Sequence, residues 1–237
     1  MVVADLGNSR LKWAEVGADG QIGPVGSAGV DQFDDAIRGF GDRGPWLISS
    51  VNPPAAGRLA AVLAGPARWF RSAADVPVSH SLSHPETAGA DRAWAVLAAV
   101  AMHPPGRPGL VVSCGTALTL ERIDANGVWR GGAIAVGLAM AARALHRLTA
   151  QLPEVDISEA PPAWGDSTAP AARAGVFWGT VGAIRELVAR QSIGLDRPWL
   201  VWTGGDAPRL AAEVVVPGAR VVPDLVLRGL ARHGAGP

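Results

Sequence analysis

Residues 5–12, with the sequence DLGNSRLK, combine a glycine with small polar and charged side chains in a pattern suited to binding phosphate. They follow a short apolar run that predicts a strand, and Gly7 allows the backbone to turn tightly and approach a ligand. The amides and hydroxyl groups of the turn can then face phosphate oxygens. Asp5 can hold a hydrated Mg²⁺, which prefers carboxylates together with water, and Lys12 can offset phosphate charge. The competing interpretation is a plain hairpin turn that binds nothing.

A second glycine turn, Gly115-Thr116-Ala117, follows another short apolar run at residues 110–113. It offers a hydroxyl group and backbone amides in the same way as the first turn. Each half of the chain therefore opens with a strand, a glycine turn and a strand. This internal echo predicts two similar α/β lobes, with a cleft between them in which the two hairpins hold a polyphosphate from two sides. Clefts between lobes are common small-molecule sites.

The segment Gly89-Ala90-Asp91-Arg92 opens the strongest predicted helix, at residues 92–102. A carboxylate near a helix N-terminus is favoured by the helix dipole, so capping alone is one explanation of Asp91. The functional alternative is that Asp91 accepts a proton from an attacking hydroxyl group during phosphoryl transfer. Arg92 would then hold an anionic group of the substrate, because a planar guanidinium suits a carboxylate.

Two further segments are weaker signals. Gly204-Gly205 follows a predicted strand at residues 200–202 and can let a nucleotide approach the backbone, although a simple strand-to-helix turn explains it as well. Thr168 lies just before a long predicted helix at residues 170–191, where it either caps the helix or contacts a substrate.

The composition of the 237 residues argues against several classes of protein. Lys and Arg together number 21, as do Asp and Glu, so the formal net charge is zero and no basic excess predicts nucleic-acid binding. The sequence contains no run of about 18 apolar residues, the length that a membrane-spanning helix needs. Its first residues do not resemble a signal peptide. The single cysteine, Cys114, cannot form an intramolecular disulfide and fits a reducing compartment. We therefore expect a cytoplasmic globular protein that binds neither nucleic acid nor membrane.

The apolar patterns predict two series of strands and helices, separated by a linker at residues 103–109 that contains three prolines and two glycines. This linker divides the chain into an N-terminal lobe, residues 1–105, and a C-terminal lobe, residues 106–237. Strands are predicted at residues 1–6, 11–16, 46–51, 67–70, 110–113, 117–123, 128–135 and 200–202. Helices are predicted at residues 32–40, 56–63, 92–102, 139–152, 170–191, 208–214 and 224–232.

Taken together and in this order, these segments resemble the type III pantothenate kinases. The opening loop of that family, Asp-x-Gly-Asn-Thr-x-x-Lys, is matched by Asp5, Gly7, Asn8, Ser9 and Lys12. Its Gly-x-Asp-Arg, Gly-Thr-Ala, Gly-Gly-x-Ile, Leu-Pro, Gly-x-x-Thr and Thr-Gly-Gly segments are similar to residues 89–92, 115–117, 131–134, 152–153, 165–168 and 203–205. Each match is short, but the ordered set is specific.

The resemblance implies an actin-like, ribonuclease H-like fold and the ATP-dependent phosphorylation of pantothenate, the first step of coenzyme A synthesis. It implies a homodimer, Mg²⁺, and a monovalent cation, K⁺ or NH₄⁺. By this analogy Asp91 is the catalytic base, and the residues that bind pantothenate are Gly89, Ala90, Asp91, Arg92 and Thr168. Asp5 also binds Mg²⁺, and the residues that bind ATP and its phosphates are Asp5, Leu6, Gly7, Asn8, Ser9, Arg10, Leu11, Lys12 and Thr116.

Three positions depart from the family pattern. Ser113 stands where the family usually has an aspartate that binds the monovalent cation, and a serine oxygen brings no charge to that site. Leu82 stands where a substrate-contacting tyrosine is common, and Val136 where a proline is usual. These changes leave two alternatives open. One is a kinase for a different small hydroxy acid, and the other is a degenerate member that binds nucleotide or pantothenate as an accessory or regulatory protein.

Overall fold

The structure, a computed structural model, describes residues 1–40 and 44–234. Its contacts divide the chain into two compact units, one formed by Met1–Pro104 together with the residues from Asp224 onward, and one formed by Pro105–Pro223. Each unit is built around one five-stranded sheet with helices packed on it. No helix within residues 1–40 and 44–234 has the length and apolar character needed to cross a membrane.

The strands in chain order are β1 (Val2–Leu6), β2 (Arg10–Glu15), β3 (Gly26–Gly29), β4 (Trp46–Ser50), β5 (Ala67–Phe70), β6 (Gly109–Cys114), β7 (Ala117–Ile123), β8 (Trp129–Val136), β9 (Trp199–Thr203) and β10 (Arg220–Val221). The helices are α1 (Phe33–Phe40), α2 (Pro53–Val62), α3 (Ala90–Ala101), α4 (Leu138–Arg147), α5 (Thr168–Ser192), α6 (Ala207–Glu213) and α7 (Leu225–Gly234).

The two sheets have the same strand topology. The first runs β3-β2-β1-β4-β5 and the second β8-β7-β6-β9-β10. In each, the opening strand is central, the next two strands continue from it as an antiparallel meander, and the last two lie parallel to it on its other side. The echo that the sequence predicts between the two halves is thus present in the order and direction of the strands.

The first sheet buries both of its faces. Because successive side chains of a strand point to opposite faces, the even-numbered residues of β1 share a core with α1 and α2, where Val2, Ala4 and Leu6 pack with Phe33 and Leu59. The odd-numbered residues face the other way, toward the side on which α3 and α7 contact β1 and β4. Polar side chains on this second face therefore lie among the ends of α3 and α7.

Helix α7 packs on the first unit, whereas the division drawn from the sequence placed residues 224–232 in the C-terminal lobe. Its apolar residues Leu225, Leu227 and Leu230 are fully buried. Gly229 lies so close to the backbone of Trp94 in α3 that a Cβ would be 3.2 Å from its carbonyl carbon. Sequence order suggested the nearer lobe, but the apolar face of α7 is covered by α3 and β1 instead.

Three elements differ from the sequence predictions. Strand β3, with the sequence GSAG, has no apolar alternation and joins the edge of the sheet by backbone pairing with β2. Strand β10 has only two residues, too few for a periodic signal. Helix α4 ends at Arg147 rather than at residue 152, and Leu148, which continues the apolar spacing, is 83% exposed. The other predicted elements are present, with ends shifted by a few residues.

Candidate active site

The loop at residues 5–12 forms the hairpin between β1 and β2. Asp5 and Leu6 end β1, and Arg10, Leu11 and Lys12 begin β2. The turn closes with a hydrogen bond of 3.0 Å from the amide of Gly7 to the carbonyl of Arg10, which leaves Asn8 and Ser9 exposed at its tip. In the strand register Asp5 lies directly opposite Lys12, so both side chains stand on the face of the sheet shared with α3 and α7.

Asp5 carries a buried carboxylate that lacks a hydrogen-bond partner on one oxygen. Its Oδ1 accepts no hydrogen bond from the described residues. The pKa of Asp5 is raised to about 7, chiefly by burial; the negative charges of Asp91 and Asp224 contribute to this shift, and the positive charge of Lys12 opposes it. A carboxylate in this state is stabilised by a cation, because a bound positive charge offsets the cost of burying its ionised form.

Lys12 is held by a carboxylate from the far end of the chain. Its Nζ lies 2.7 Å from Oδ1 of Asp224, which directly precedes α7. The two side chains are 31% and 18% exposed, so the ion pair is partly shielded from water. Asp224 has a φ of +54°, a left-handed conformation that Asp and Asn tolerate better than most residues.

Two polar residues from the end of β4 lie beside the hairpin. Ser49 is the register neighbour of Asp5 on the parallel strand, is fully buried, and its Oγ has no hydrogen-bond partner among the described residues. Asn52 caps α2 by accepting a hydrogen bond of 3.1 Å from the amide of Ala55. Its side-chain amide also donates to the carbonyl of Gly7 at 3.5 Å. The cap of α2 thus ties the hairpin turn to the next strand.

Asp91 lies in the first turn of α3, and Ala90 and Arg92 flank it there. Its Oδ1 accepts a hydrogen bond of 2.8 Å from the amide of Arg92. Burial raises the pKa of Asp91, although the amide and the charge of Arg92 oppose that shift. Gly89 leaves the space that the carboxylate occupies, since a Cβ at this position would overlap Asp91 Oδ1 and lie 3.0 Å from Cγ1 of Val51.

The first unit therefore brings residues 5–12 and 89–92 to one region, as the electrostatic coupling of Asp5 to Asp91 shows. No group of three or more His, Cys, Asp or Glu side chains suited to a metal ion occurs within residues 1–40 and 44–234. That result excludes a cage of protein ligands there, but not Mg²⁺, which usually binds one or two carboxylates and otherwise water and phosphate. The orphaned oxygen of Asp5 fits such a site.

The second unit holds the Gly-Thr-Ala turn between β6 and β7. The amide of Gly115 donates to the carbonyl of Ala117 at 3.1 Å, and the carbonyl of Thr116 accepts from the amide of Gly137 at 3.2 Å. Gly204, with a φ of +95°, packs on the carbonyl of Cys114, where any Cβ would overlap it. The two glycine turns that the sequence analysis singled out in the second half of the chain therefore meet at the end of β6.

Ser113 lies in a row of hydroxyl groups across the second sheet. It is the register neighbour of Thr119 on β7 and of Thr203 on β9. Side chains at paired positions share a face, so the three hydroxyl groups are adjacent. The Oγ1 of Thr119 is buried and has no hydrogen-bond partner among the described residues.

Thr168 is the first residue of α5 and is exposed. The side chain of Ser167, the N-cap residue, makes no capping hydrogen bond, and its Oγ instead donates to Oδ1 of Asp166 at 3.3 Å. Gly165 packs against the backbone of Pro170, so a side chain at this position would displace the loop. The side chain of Trp164 is 80% exposed beside this turn.

The sequence analysis did not identify Asp224, Ser49 or Asn52 as parts of this region. Asp224 is the first residue of a predicted helix, where a carboxylate is expected as a cap. Ser49 is a small polar residue inside an apolar strand, and Asn52 precedes two prolines that predict a turn. Their positions follow from strand register and from the packing of α7, which composition and periodicity do not reveal.

Known structures with a similar backbone include proteins named as sugar kinases. A Campylobacter jejuni protein assigned to the Baf family of transcriptional activators superposes with a TM-score of 0.66 at 21% identity, covering 98% of this chain and 96% of that one. The inorganic polyphosphate/ATP-glucomannokinase of an Arthrobacter species superposes with a TM-score of 0.52 at 13% identity, covering 98% and 97%. At these identities the likeness shows the fold alone, and it confirms the predicted two-lobed actin-like class.

Sequence comparison identifies the family. The model of the type III pantothenate kinase family matches residues 1–190. The type III pantothenate kinase of Paraburkholderia xenovorans is 35% identical and covers 99% of this chain and 95% of its own length. That of Porphyromonas gingivalis is 34% identical, covering 98% and 96%. The match to the Rhodospirillum centenum enzyme is 40% identical but spans only 63% of this chain and 58% of that relative. These matches confirm the resemblance drawn from the ordered motifs, and the chain belongs to the type III pantothenate kinase family.

Proposed function

We propose that this chain transfers the γ-phosphoryl group of ATP to the 4′-hydroxyl group of pantothenate, as its family does in coenzyme A synthesis, and that Asp91 is the base. The hydroxyl oxygen forms a bond to the γ-phosphorus while the bond from that phosphorus to the β–γ bridging oxygen breaks. ADP leaves, and the hydroxyl proton passes to Asp91. The supporting observation is a pair of interacting carboxylates shielded from water, Asp5 at the end of β1 and Asp91 in the first turn of α3.

Asp91 has the surroundings that a base in phosphoryl transfer needs. Burial raises its pKa, so its carboxylate binds a proton more readily than an exposed aspartate does. The hydrogen bond from the Arg92 amide and the space at Gly89 fix the orientation of the carboxylate. We assign Gly89, Ala90 and Arg92 to pantothenate binding, with Arg92 at the carboxylate of the substrate.

Asp5 is the proposed residue that holds Mg²⁺, and Lys12 lies beside it. When bound, Mg²⁺ neutralises charge on the β- and γ-phosphates. The unpartnered Oδ1 of Asp5 would face the ion, and the charge of Lys12 would add to it. The other residues that we assign to the phosphates of ATP are Leu6, Gly7, Asn8, Ser9, Arg10 and Leu11, which contribute mainly backbone groups of the hairpin.

In the second unit we assign Thr116 to ATP and Thr168 to pantothenate. The turn at Gly115 offers an open backbone and a hydroxyl group, and Thr168 offers an exposed hydroxyl group at the start of a 25-residue helix. We place a monovalent cation, K⁺ or NH₄⁺, at Ser113. Its support is the row of hydroxyl groups from Thr119, Ser113 and Thr203, which supplies oxygens without a charge.

A turnover assay tests this function. ADP release is measured with ATP, Mg²⁺ and K⁺, in the presence and absence of pantothenate. We expect ADP release that depends on pantothenate. Release that depends on another small hydroxy acid instead would favour the altered-acceptor alternative that Leu82 raises. No release with any acceptor, from protein that is folded by circular dichroism and still binds ATP, would favour the accessory-protein alternative that Ser113 raises. We also propose that the enzyme works in the cytoplasm, where ATP is supplied.

We further propose that two copies of the chain associate through a groove on the second unit. The groove, about 450 Å³ in volume, lies among β7, β8, α4 and α5. Apolar side chains around the groove are exposed to solvent: Ile134 is 64% exposed, Val136 54% and Leu148 83%. Exposed apolar side chains that cluster in this way are typical of protein interfaces.

The glycines of α5 give this interface its second support. Gly175 and Gly179 line the groove, and a Cβ at either position would meet nothing within 4 Å. A glycine inside a helix costs about 0.5–1 kcal/mol relative to alanine, and no contact with residues 1–40 or 44–234 explains that cost at these two positions. Close approach of a second helix would explain it.

Light scattering after gel filtration tests the homodimer. We expect twice the mass of the chain for the wild type, and the mass of one chain for Leu148→Asp. Val215→Asp is the matched control, because Val215 is 84% exposed in the same unit but lies away from the groove. A monomeric wild type, or a Leu148→Asp variant that stays dimeric, would refute this interface.

A further inference from the structure

Lys12 has two carboxylates within its reach and pairs with the more distant one in sequence. Asp5 lies directly opposite it on the neighbouring strand, where facing side chains have Cβ atoms about 4.5–5.5 Å apart. Its Nζ nevertheless bonds Asp224, 212 residues away. Asp5 Oδ1 remains buried and without a hydrogen-bond partner among the described residues.

The backbone conformation at Asp224 and the packing of the helix after it hold this residue in place. Asp224 adopts the left-handed conformation, which costs a non-glycine residue free energy unless the surroundings impose it. The helix that follows is anchored, because Leu225 and Leu227 are fully buried and Gly229 packs on the backbone of α3. The packing of α7 therefore holds the backbone of Asp224 in place next to Lys12.

We propose that Asp224 is a positioning residue that holds Lys12 away from Asp5 and so keeps the oxygen of Asp5 free for the divalent cation. Without it, the ammonium group of Lys12 would turn to the facing carboxylate and occupy the position of the ion. The inference rests on the proposed role of Asp5 in binding Mg²⁺. It goes beyond that role by assigning a function to a residue at the end of the chain that lies outside the family motifs.

The ion pair also sets the charge of the region. Three carboxylates, Asp5, Asp91 and Asp224, interact electrostatically, and Lys12 is the lysine that balances them. Because Lys12 pairs with Asp224, the described part of the chain shows no ion pair to Asp5, while Asp91 interacts with the charge of Arg92. A divalent cation matches that remaining charge.

The test measures metal binding rather than catalysis. Mn²⁺ replaces Mg²⁺ as a paramagnetic probe, and electron paramagnetic resonance measures the dissociation constant of Mn²⁺ in the presence of the protein and ADP. The variants are Asp5→Asn, Asp224→Asn, Lys12→Met and the double variant Lys12→Met with Asp224→Asn. Asparagine tolerates the left-handed backbone at position 224, so Asp224→Asn removes the charge while preserving the turn. Circular dichroism checks that each variant folds.

We expect Asp224→Asn to weaken Mn²⁺ binding about tenfold, which is about 1.4 kcal/mol. In the Lys12→Met background the same change should alter the dissociation constant less than twofold, because no ammonium group is left to turn to Asp5. An equal loss in both backgrounds would mean that Asp224 acts through its own charge or as a ligand, and would overturn the inference. So would unchanged binding in Asp224→Asn.

The Asp5→Asn variant separates this inference from the function on which it rests. If Asp5→Asn weakens Mn²⁺ binding but Asp224→Asn does not, the role of Asp224 alone is wrong. If Asp5→Asn binds Mn²⁺ as the wild type does, Asp5 is not the cation ligand and both proposals are wrong.

Discussion

Gly89→Ala places a methyl group in the space that the Asp91 carboxylate occupies. The added Cβ would overlap Asp91 Oδ1, lie 3.6 Å from its Cγ and lie 3.0 Å from Cγ1 of Val51. Gly89 has φ −60° and ψ 141°, a conformation that alanine adopts freely, so the backbone itself is not strained. The carboxylate must move by on the order of 1 Å, a displacement that can cost about 100-fold in rate when it affects a catalytic group.

We therefore expect kcat to fall about 100-fold, equivalent to about 2.7 kcal/mol of activation free energy, with little change in the KM for ATP. The unfolding free energy should fall by about 1 kcal/mol, the cost of an off-rotamer side chain. A coupled assay of ADP release measures the first quantity, and urea denaturation the second.

Gly57→Ala is the matched control, since Gly57 lies inside α2 and a Cβ there would meet nothing within 4 Å. It should keep full activity and gain about 0.5–1 kcal/mol of stability. A folded Gly89→Ala variant with kcat within twofold of the wild type would refute the steric argument and weaken the assignment of Asp91.

Three other substitutions test individual residues. Asp91→Asn should lower kcat by a factor of about 10²–10⁴ while the protein stays folded, and a normal kcat would remove Asp91 as the base. Asp5→Asn should stabilise the metal-free protein increasingly between pH 4 and pH 7, because the raised pKa of Asp5, about 7, makes the folded state bind more protons than the unfolded state in that window. The gain above pH 7 should be roughly 2–4 kcal/mol by urea denaturation, and a gain independent of pH would contradict the burial of this carboxylate. Ser113→Asp should raise activity or its dependence on K⁺, and no change in either would mean that no cation acts at that position.

The similarity between the two halves of the fold could be predicted because each half begins with the same strong local sequence pattern. An apolar strand, a glycine turn and a second strand are specified by adjacent residues, as at Gly7 and at Gly115. The matching topologies of the two sheets follow from that start. Strand β3 was not predicted, and helix α7 was assigned to the wrong lobe, because both depend on contacts with other elements. The GSAG strand is defined by its pairing with β2, and the position of α7 is decided by the apolar surface of α3 that covers it.

The residues of the candidate site also fall into those that the sequence pattern indicates and those that only the structure reveals. Asp5, Asp91 and Lys12 could be proposed from the sequence as site residues because glycine turns and a helix start give carboxylates and a lysine a recognisable local setting. Asp224 and Ser49 could not, because their importance depends on register and on contacts across 212 and 44 positions of the chain. Local sequence pattern thus points to candidate functional groups, whereas the residues that contact them are revealed only by tertiary packing.

The most direct test follows the phosphoryl group itself. The wild type is incubated with ATP labelled at the γ-phosphate, pantothenate, Mg²⁺ and K⁺, and the products are separated and identified by mass. Label on 4′-phosphopantothenate, formed in step with ADP and about 10²–10⁴ times more slowly with Asp91→Asn, is the predicted result. Label that stays on ATP, or appears as inorganic phosphate whether or not pantothenate is present, would contradict a pantothenate kinase.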